Sequence, residues 1–169
     1  MNGPPSSEEG PQIDSRAFQK LIELGIALSS ETDGDRLLEN ILLGMKELTN
    51  ADGGTIYLRI EDNRLSFATM RNDTLGVAMG GTTGKPIPFP PLRMFRDDGT
   101  ENHNNVSTHV ALTGRTIKIA DAYVEESFDF SGTKAFDEKT GYRSKSFLTV
   151  PLKNHENYVI GVIQLINAR

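Results

Sequence analysis

The chain contains no cysteine. That removes disulfides, thiolate metal sites and cysteine nucleophiles at once. Histidine is scarce too: His103, His109 and His155 are too scattered for a convergent metal site. No apolar run approaches the ~20 residues of a membrane-spanning helix. The opening stretch, Met1 to Pro11, lacks the apolar centre of a signal peptide, so the expected location is the cytoplasm. Basic residues are outnumbered, with 18 Lys and Arg against 23 Asp and Glu. A net charge of -5 argues against a nucleic-acid-binding or anionic-membrane-binding surface, which needs a basic face. There is no nucleophile elbow, no Walker loop and no Rossmann fingerprint. The glycines between Gly76 and Gly84 lack the Walker spacing. The carboxylates of Glu125, Glu126, Asp129, Asp137 and Glu138 have no histidine at a telling distance in sequence. The chain therefore reads as a non-enzyme.

What is present is ordinary globular material. A length of 169 residues, 37% hydrophobic and 24% charged, suits one domain with its own core. Residues 1–12 are rich in Pro, Gly, Ser and Glu and read as a disordered tail; the domain is expected over 13–169. From Asp14 the pattern is helical, with Phe18, Leu21, Ile22, Gly25 and Leu28 on one stripe. Leu24 and Ile26 fall off it, which points to a second covered face and a homodimer formed through this helix. After Glu31–Asp35, a second stripe of Leu37, Leu38, Ile41, Leu42, Met45 and Leu48 predicts another helix, closed by Asn50–Gly54. A hairpin follows, residues 55–60 against 65–70 around Glu61-Asp62-Asn63-Arg64. Asn72 to Asn105 is long and irregular. Its run Pro86-Ile87-Pro88-Phe89-Pro90-Pro91 permits at most a short edge strand near Ile87–Phe89, and part of the stretch is expected to lie over the open sheet face as a lid. Asn105 caps a short helix from Val106, stopped at Gly114. A brief strand near Ile117 and a helix between Ser131 or Thr133 and Lys139, ended by Gly141, come next.

The last third carries the pattern. Phe147–Leu152 and Tyr158–Asn167 are apolar on both faces, as strands in the middle of a covered sheet are. Alternation places Ile160, Val162 and Ile166 on one side and Val159, Ile163 and Leu165 on the other. Gln164 interrupts the first side, and a buried amide needs polar company. Three elements are expected to converge over the open face: the amino end of the Val106 helix, whose free N–H groups favour an anion, the Asp137–Ser144 segment, and the strand with Gln164.

The pieces Asp137-Glu138-Lys139-Thr140-Gly141-Tyr142-Arg143-Ser144, Val150-Pro151-Leu152-Lys153 and Ile160-Gly161-Val162-Ile163-Gln164-Leu165-Ile166-Asn167, with Ala111–Gly114 and Ile119–Tyr123 upstream, resemble the GAF domain family. The likeness is to the type found in cyclic-nucleotide phosphodiesterases and adenylyl cyclases, and it covers roughly Arg16 to the end. It implies an α+β, GAF-like (PAS-related) fold: a central antiparallel sheet of five to six strands, helices on one face, long loops and short helices over the other. It also implies a regulatory small-molecule sensor controlling an attached output domain, with cAMP or cGMP as a ligand and no required cofactor. The positions that correspond to ligand contacts are Val106, Ser107, Asp137, Thr140, Ser144 and Gln164. Asn167 fits the first residue of a longer family motif whose remainder is absent, so the domain is read as lacking its final helix. Two alternatives stay open: a ligand-free dimerisation or docking module, with Phe89 or Met94 plugging the cleft, and a phosphodiesterase fragment whose catalytic domain lies elsewhere. Family enzymes that reduce methionine sulfoxide, and members that attach bilins, rely on cysteines absent here.

Overall fold

A computed structural model describes residues 34–168; the tail and the helix expected from Asp14 lie outside the described residues, as does the dimer contact assigned to that helix. The amphipathic stripe folds as α1 (Gly34–Thr49), with Asp35 in its first turn and Lys46 in its last. Both charges suit the helix dipole. Leu42 and Met45 are buried against the sheet with Leu38 and Ile41 partly so, while Leu48 stays 64% exposed. Two charged residues take the remaining buried positions on this helix, Glu39 and Lys46.

The strands are β1 (Gly53–Ile60), β2 (Arg64–Asn72), β3 (Val77–Gly80), β4 (Leu92–Arg93), β5 (Ile117–Ile119), β6 (Phe147–Lys153) and β7 (Val159–Ile166). They form one antiparallel sheet in the order β3-β2-β1-β7-β6-β5, with β4 pairing the start of β2. The apolar closing strand β7 lies between β1 and β6, where Val162, Ile163 and Leu165 are fully buried. The sheet and its flanking helices match the α+β architecture that the sequence implied, with one strand more than expected. That extra strand comes from the long segment. No strand forms at Ile87–Phe89; β3 and β4 form on either side of the prolines instead, because proline has no N–H to give a ladder.

Two cores flank the sheet. On one face α1 packs on Ile56, Leu152, Ile163 and Leu165. On the other lie α2 (Val106–Thr113) and α3 (Ser131–Thr140), with clusters around Tyr57, Leu65, Met94, Val110 and Val162, and around Val106, Phe130 and Phe147. Asn105 caps α2 as expected, and Gly114 (φ 67°) closes it in the left-handed region. Gly141 (φ 73°) closes α3 the same way.

The strict alternation expected of β7 fails at one place. Leu152 pairs with Gly161, yet Lys153 pairs with Val159. The extra residue forms a bulge. Val159 therefore joins the face of Val162, and Ile160 joins that of Ile163, the reverse of simple period-two counting. Gly161 beside the bulge is required sterically: a Cβ there would stand 2.4 Å from the Tyr57 carbonyl oxygen.

Candidate ligand-binding cavity

Between the open face of the sheet and the layer of α2, α3 and the long segment lies a cavity of about 320 Å³. Its floor comes from β1, β2 and β7, through Thr55, Tyr57, Met70 and Gln164. Its walls come from Val106 and Ser107 at the start of α2, from Gly132, Thr133 and Phe136 of α3, and from Ser144 and Phe147. Phe89, Pro90 and Leu92 of the long segment border it. This places part of that segment over the sheet, as the lid reading anticipated.

The lining is mostly aromatic and aliphatic. Tyr57 stacks tilted on Phe67 at 4.7 Å between centroids, and Phe67 on Phe89 at 5.5 Å. Phe89 remains 39% exposed and does not fill the cavity; Met94 is buried in the core. Burial pushes the Tyr57 phenol up to about 12 against the pull of its hydrogen bond with Ser107. Tyr57 is therefore a neutral group at any physiological pH.

Four of the six expected site residues reach this cavity: Val106, Ser107, Ser144 and Gln164. Gln164 is 8% exposed and its Nε2 donates to Thr149 Oγ1 at 3.4 Å. Asp137 does not line the cavity. It is buried behind the wall, where Oδ1 accepts from Ser144 Oγ (2.8 Å) and Oδ2 accepts from Ser144 N (2.8 Å) and Tyr123 Oη (2.5 Å). Its carboxylate fixes the backbone and hydroxyl of Ser144 and takes no part in the wall itself. Thr140 is carried away from the cavity: it is exposed on the last turn of α3, its hydroxyl donating to the Phe136 carbonyl at 2.8 Å. The reason is length along the helix: Gly132, Thr133 and Phe136 border the cavity, and Thr140, one turn beyond Phe136 on the same stripe, lies past its edge.

The amino end of α2 also differs from expectation. Its amides were expected to be free for an anion. Instead Asn105 Oδ1 accepts from the N–H groups of Ser107 (2.8 Å) and Thr108 (3.2 Å), so two of the three first-turn donors are already satisfied. Before α3, whose N-cap Phe130 has no side-chain cap bond, Asp129 accepts from Ser131 N at 2.9 Å in a local turn. The Ser131 N–H, then its hydroxyl, hold the Asp129 carboxyl below the ordinary carboxylate range. Asp129 borders both the cavity and a neighbouring polar recess of about 400 Å³ that includes Arg96, Asn102 and Asn104. Sequence reasoning missed Asp129 as a wall residue. The Asp-x-Ser spacing, that of an Asx turn, was its one available signal.

Two further arrangements flank the cavity. Tyr142 Oη donates to Asp52 Oδ2 (2.6 Å) and accepts from Asn167 Nδ2 (2.8 Å); burial, then the Asp52 bond, push this phenol up to about 12. Asn167 accepts from Lys145 N and Ser146 N through Oδ1 and donates also to the Arg143 carbonyl. The segment carrying Ser144 is thus pinned by Asp137 on one side and by Asn167 on the other. Apart from the cavity, His103 Nδ1 lies 2.7 Å from His109 Nδ1, and its Nε2 lies 3.0 Å from Glu101 Oε2. Sequence spacing gave no hint of that pair. Burial, then His103, lowers His109. Among the described residues, no group of three or more His, Asp or Glu is placed to hold a metal, and no helix is long and apolar enough to cross a membrane.

Comparison with known proteins gives the same picture from a different direction. The sequence profile described as GAF domain matches residues 33–169. A dual 3',5'-cyclic-AMP and -GMP phosphodiesterase 11 of Drosophila melanogaster is 28% identical over 165 residues, covering 96% of this chain and 10% of that protein. A cGMP-specific 3',5'-cyclic phosphodiesterase of Drosophila virilis is 29% identical over 156 residues, 91% of this chain and 16% of that protein. The chain thus spans a small fraction of the relatives it matches. Among solved structures, a hypothetical protein from S. aureus superposes with a TM-score of 0.51 at 14% identity, over 78% of this chain and 93% of that one. That likeness concerns the fold alone.

Proposed function

The chain belongs to the GAF domain family, and from that premise we propose that it is a regulatory domain that binds a small planar molecule in the cavity and passes its occupancy to the rest of a longer signalling protein. One observation carries this reading: the space between sheet and lid is left unfilled, although groups from the sheet, from α2 and α3 and from the long segment meet around it. Its volume, about 320 Å³, falls within the range of small-molecule sites, and a mostly apolar lining with a few placed polar groups is their usual composition. A ring fits between the aromatic side chains; Ser144, Ser107 and Gln164 supply the polar contacts. Purine cyclic nucleotides, cAMP and cGMP, are the first ligands to test, since the matched relatives are named for enzymes that act on them.

The mechanism follows from how the wall is held. Ser144 sits in a segment fixed by Asp137 and Asn167, and Asn167 stands at the end of β7. A ligand that bears on Ser144 presses on the point where the chain leaves the sheet. It biases the output only by the difference in its affinity for the two placements of that segment. Control of an output domain, and pairing of two copies through the helix expected from Asp14, belong to this same proposal. Isothermal titration calorimetry of the 169-residue chain against cAMP, cGMP, adenosine and guanosine tests it. Binding heat that disappears in a cavity-filling Thr55→Trp variant is the expected result. No heat and no thermal shift with any of the four at millimolar concentration would end the sensor reading.

The alternative, a ligand-free docking module, calls for Phe89 or Met94 inside the cleft. The position of Phe89 at the mouth, and of Met94 in the core, counts against it.

A further inference from the structure

The charges around the cavity bear on which part of a ligand is recognised. Among the described residues one cation borders the cavity, Arg71 of β2; its guanidinium is drawn to Glu39 of α1 at 3.6 Å, on the face where a Cβ at its cross-strand partner Gly54 would meet Leu42. The helix ends offer little to an anion either, since Asn105 already occupies two amides of α2 and the Asp129 carboxylate stands in front of α3. Asp129 borders both the cavity and the polar recess, so an anionic group leaving the cavity on that side meets a fixed negative charge. Arg96 in the recess is exposed and lies near Asp98, whose carboxyl it helps hold ionised after the stronger Thr100 bonds.

Among the polar groups of the wall, Ser144 is restricted in what it can offer. The Ser144 hydroxyl gives its proton to the buried Asp137 carboxylate, which can only accept. Toward the cavity it presents lone pairs alone. An acceptor in an apolar enclosure favours a partner with an N–H donor and leaves a ligand without one with an unpaired contact.

We infer that the site recognises an uncharged, planar heteroaromatic ring through an N–H donor on its edge, and that a phosphate attached to that ring adds no affinity and meets repulsion from Asp129. This rests on the sensor reading above and narrows it: the ligand class is a nucleobase or nucleoside type of molecule, not an anion held by helix amides. Adenine and guanine both carry suitable N–H donors; their cyclic nucleotides bind through the ring and against the charge.

The test uses the same 169-residue chain, with an Asp129→Asn variant that keeps an acceptor for the Ser131 N–H, because an Asn side chain makes the same local turn as Asp. Calorimetry compares adenosine with cAMP and guanosine with cGMP at low and high salt. For the unaltered chain, each nucleoside is expected to bind at least as tightly as its cyclic nucleotide, and added salt is expected to narrow the gap by screening. In Asp129→Asn the cyclic nucleotides should gain about threefold, the size of a single exposed charge interaction, while the nucleosides stay unchanged. A structural disturbance would shift all four together. If a cyclic nucleotide binds tenfold more tightly than its nucleoside, or Asp129→Asn leaves the cyclic nucleotides unimproved, the inference fails while the sensor reading stands. If none of the four binds, both fall.

Discussion

Asp137 shows how far a single side chain departs from what its place in a motif suggests. It was expected to touch a ligand; the structure gives its three hydrogen bonds to Ser144 and Tyr123. Replacing it by Ala leaves the buried Ser144 N–H and two hydroxyls without their acceptor. The expected loss is about 2–4 kcal/mol of stability, read by urea unfolding, together with loss of ligand heat; Ser144→Ala should weaken binding with a much smaller effect on stability. The tyrosines give a separate readout. Tyr57 and Tyr142 are both pushed up to about 12 from an ordinary 10.0. A raised folded value means the contribution is complete below pH 10 and is lost as pH climbs toward 12. Spectrophotometric titration should show Tyr57 and Tyr142 ionising late, with Tyr123 also displaced upward by its bond to Asp137, and with unfolding setting in over that window. Tyr142→Phe should remove one late step.

Among the elements, β7 and α2 each bring expected residues to the site, and each depends on one local feature. In β7 the bulge rotates Val159 onto the cavity face of the sheet, and Gly161 lets the Tyr57 carbonyl approach. Gly161→Ala forces a Cβ against backbone that cannot yield, and about 1–3 kcal/mol of destabilisation is expected, measured by thermal or chemical denaturation. In α2 the Asn105 cap was legible from sequence, yet its consequence was not: the same side chain that starts the helix withdraws its amides from any ligand. Asn105→Ala should cost about 1 kcal/mol. The long segment is largely irregular, as its sequence suggests, but the one short edge strand allowed near Ile87–Phe89 does not form, and two others do. Pairing with β2 selected residues 77–80 and 92–93 over the apolar Ile87–Phe89, because flanking prolines deny the latter its ladder.

At the scale of the whole molecule, the cavity exists because the two faces of the sheet are treated differently. One is closed by α1. The other is covered by short helices and a long segment that leave a gap. Glu39 on α1 ties down the turn that follows β3, accepting from Thr82 N (2.6 Å) and Thr82 Oγ1 (2.7 Å). Burial opposes its charge, but the Thr82 bonds and the arginines Arg71 and Arg36 outweigh that and lower it from an ordinary 4.5. A lowered folded value gives stability that is present above pH 4.5 and fades as pH falls through the depressed value. Glu39→Gln should therefore be less stable than the unaltered chain at neutral pH, with the difference shrinking in acid, as measured by unfolding at a series of pH values.

The sequence by itself determined the kind of fold, because helix and strand periods, caps and turn residues act locally. It placed α1, the hairpin, the span of α2 between Asn105 and Gly114, and the apolar pair of strands at the sheet centre. It also removed thiol and disulfide chemistry outright. Tertiary structure alone decided which side chains face the cavity. That depends on a bulge between two strands, on how far α3 extends past the cavity before Thr140 turns away, and on which donors Asp137, Asn105 and Asp129 engage first. Hydrogen-bonding groups are satisfied by whatever neighbour the packing brings within about 3 Å, and a linear pattern does not record neighbours that lie far apart in the chain.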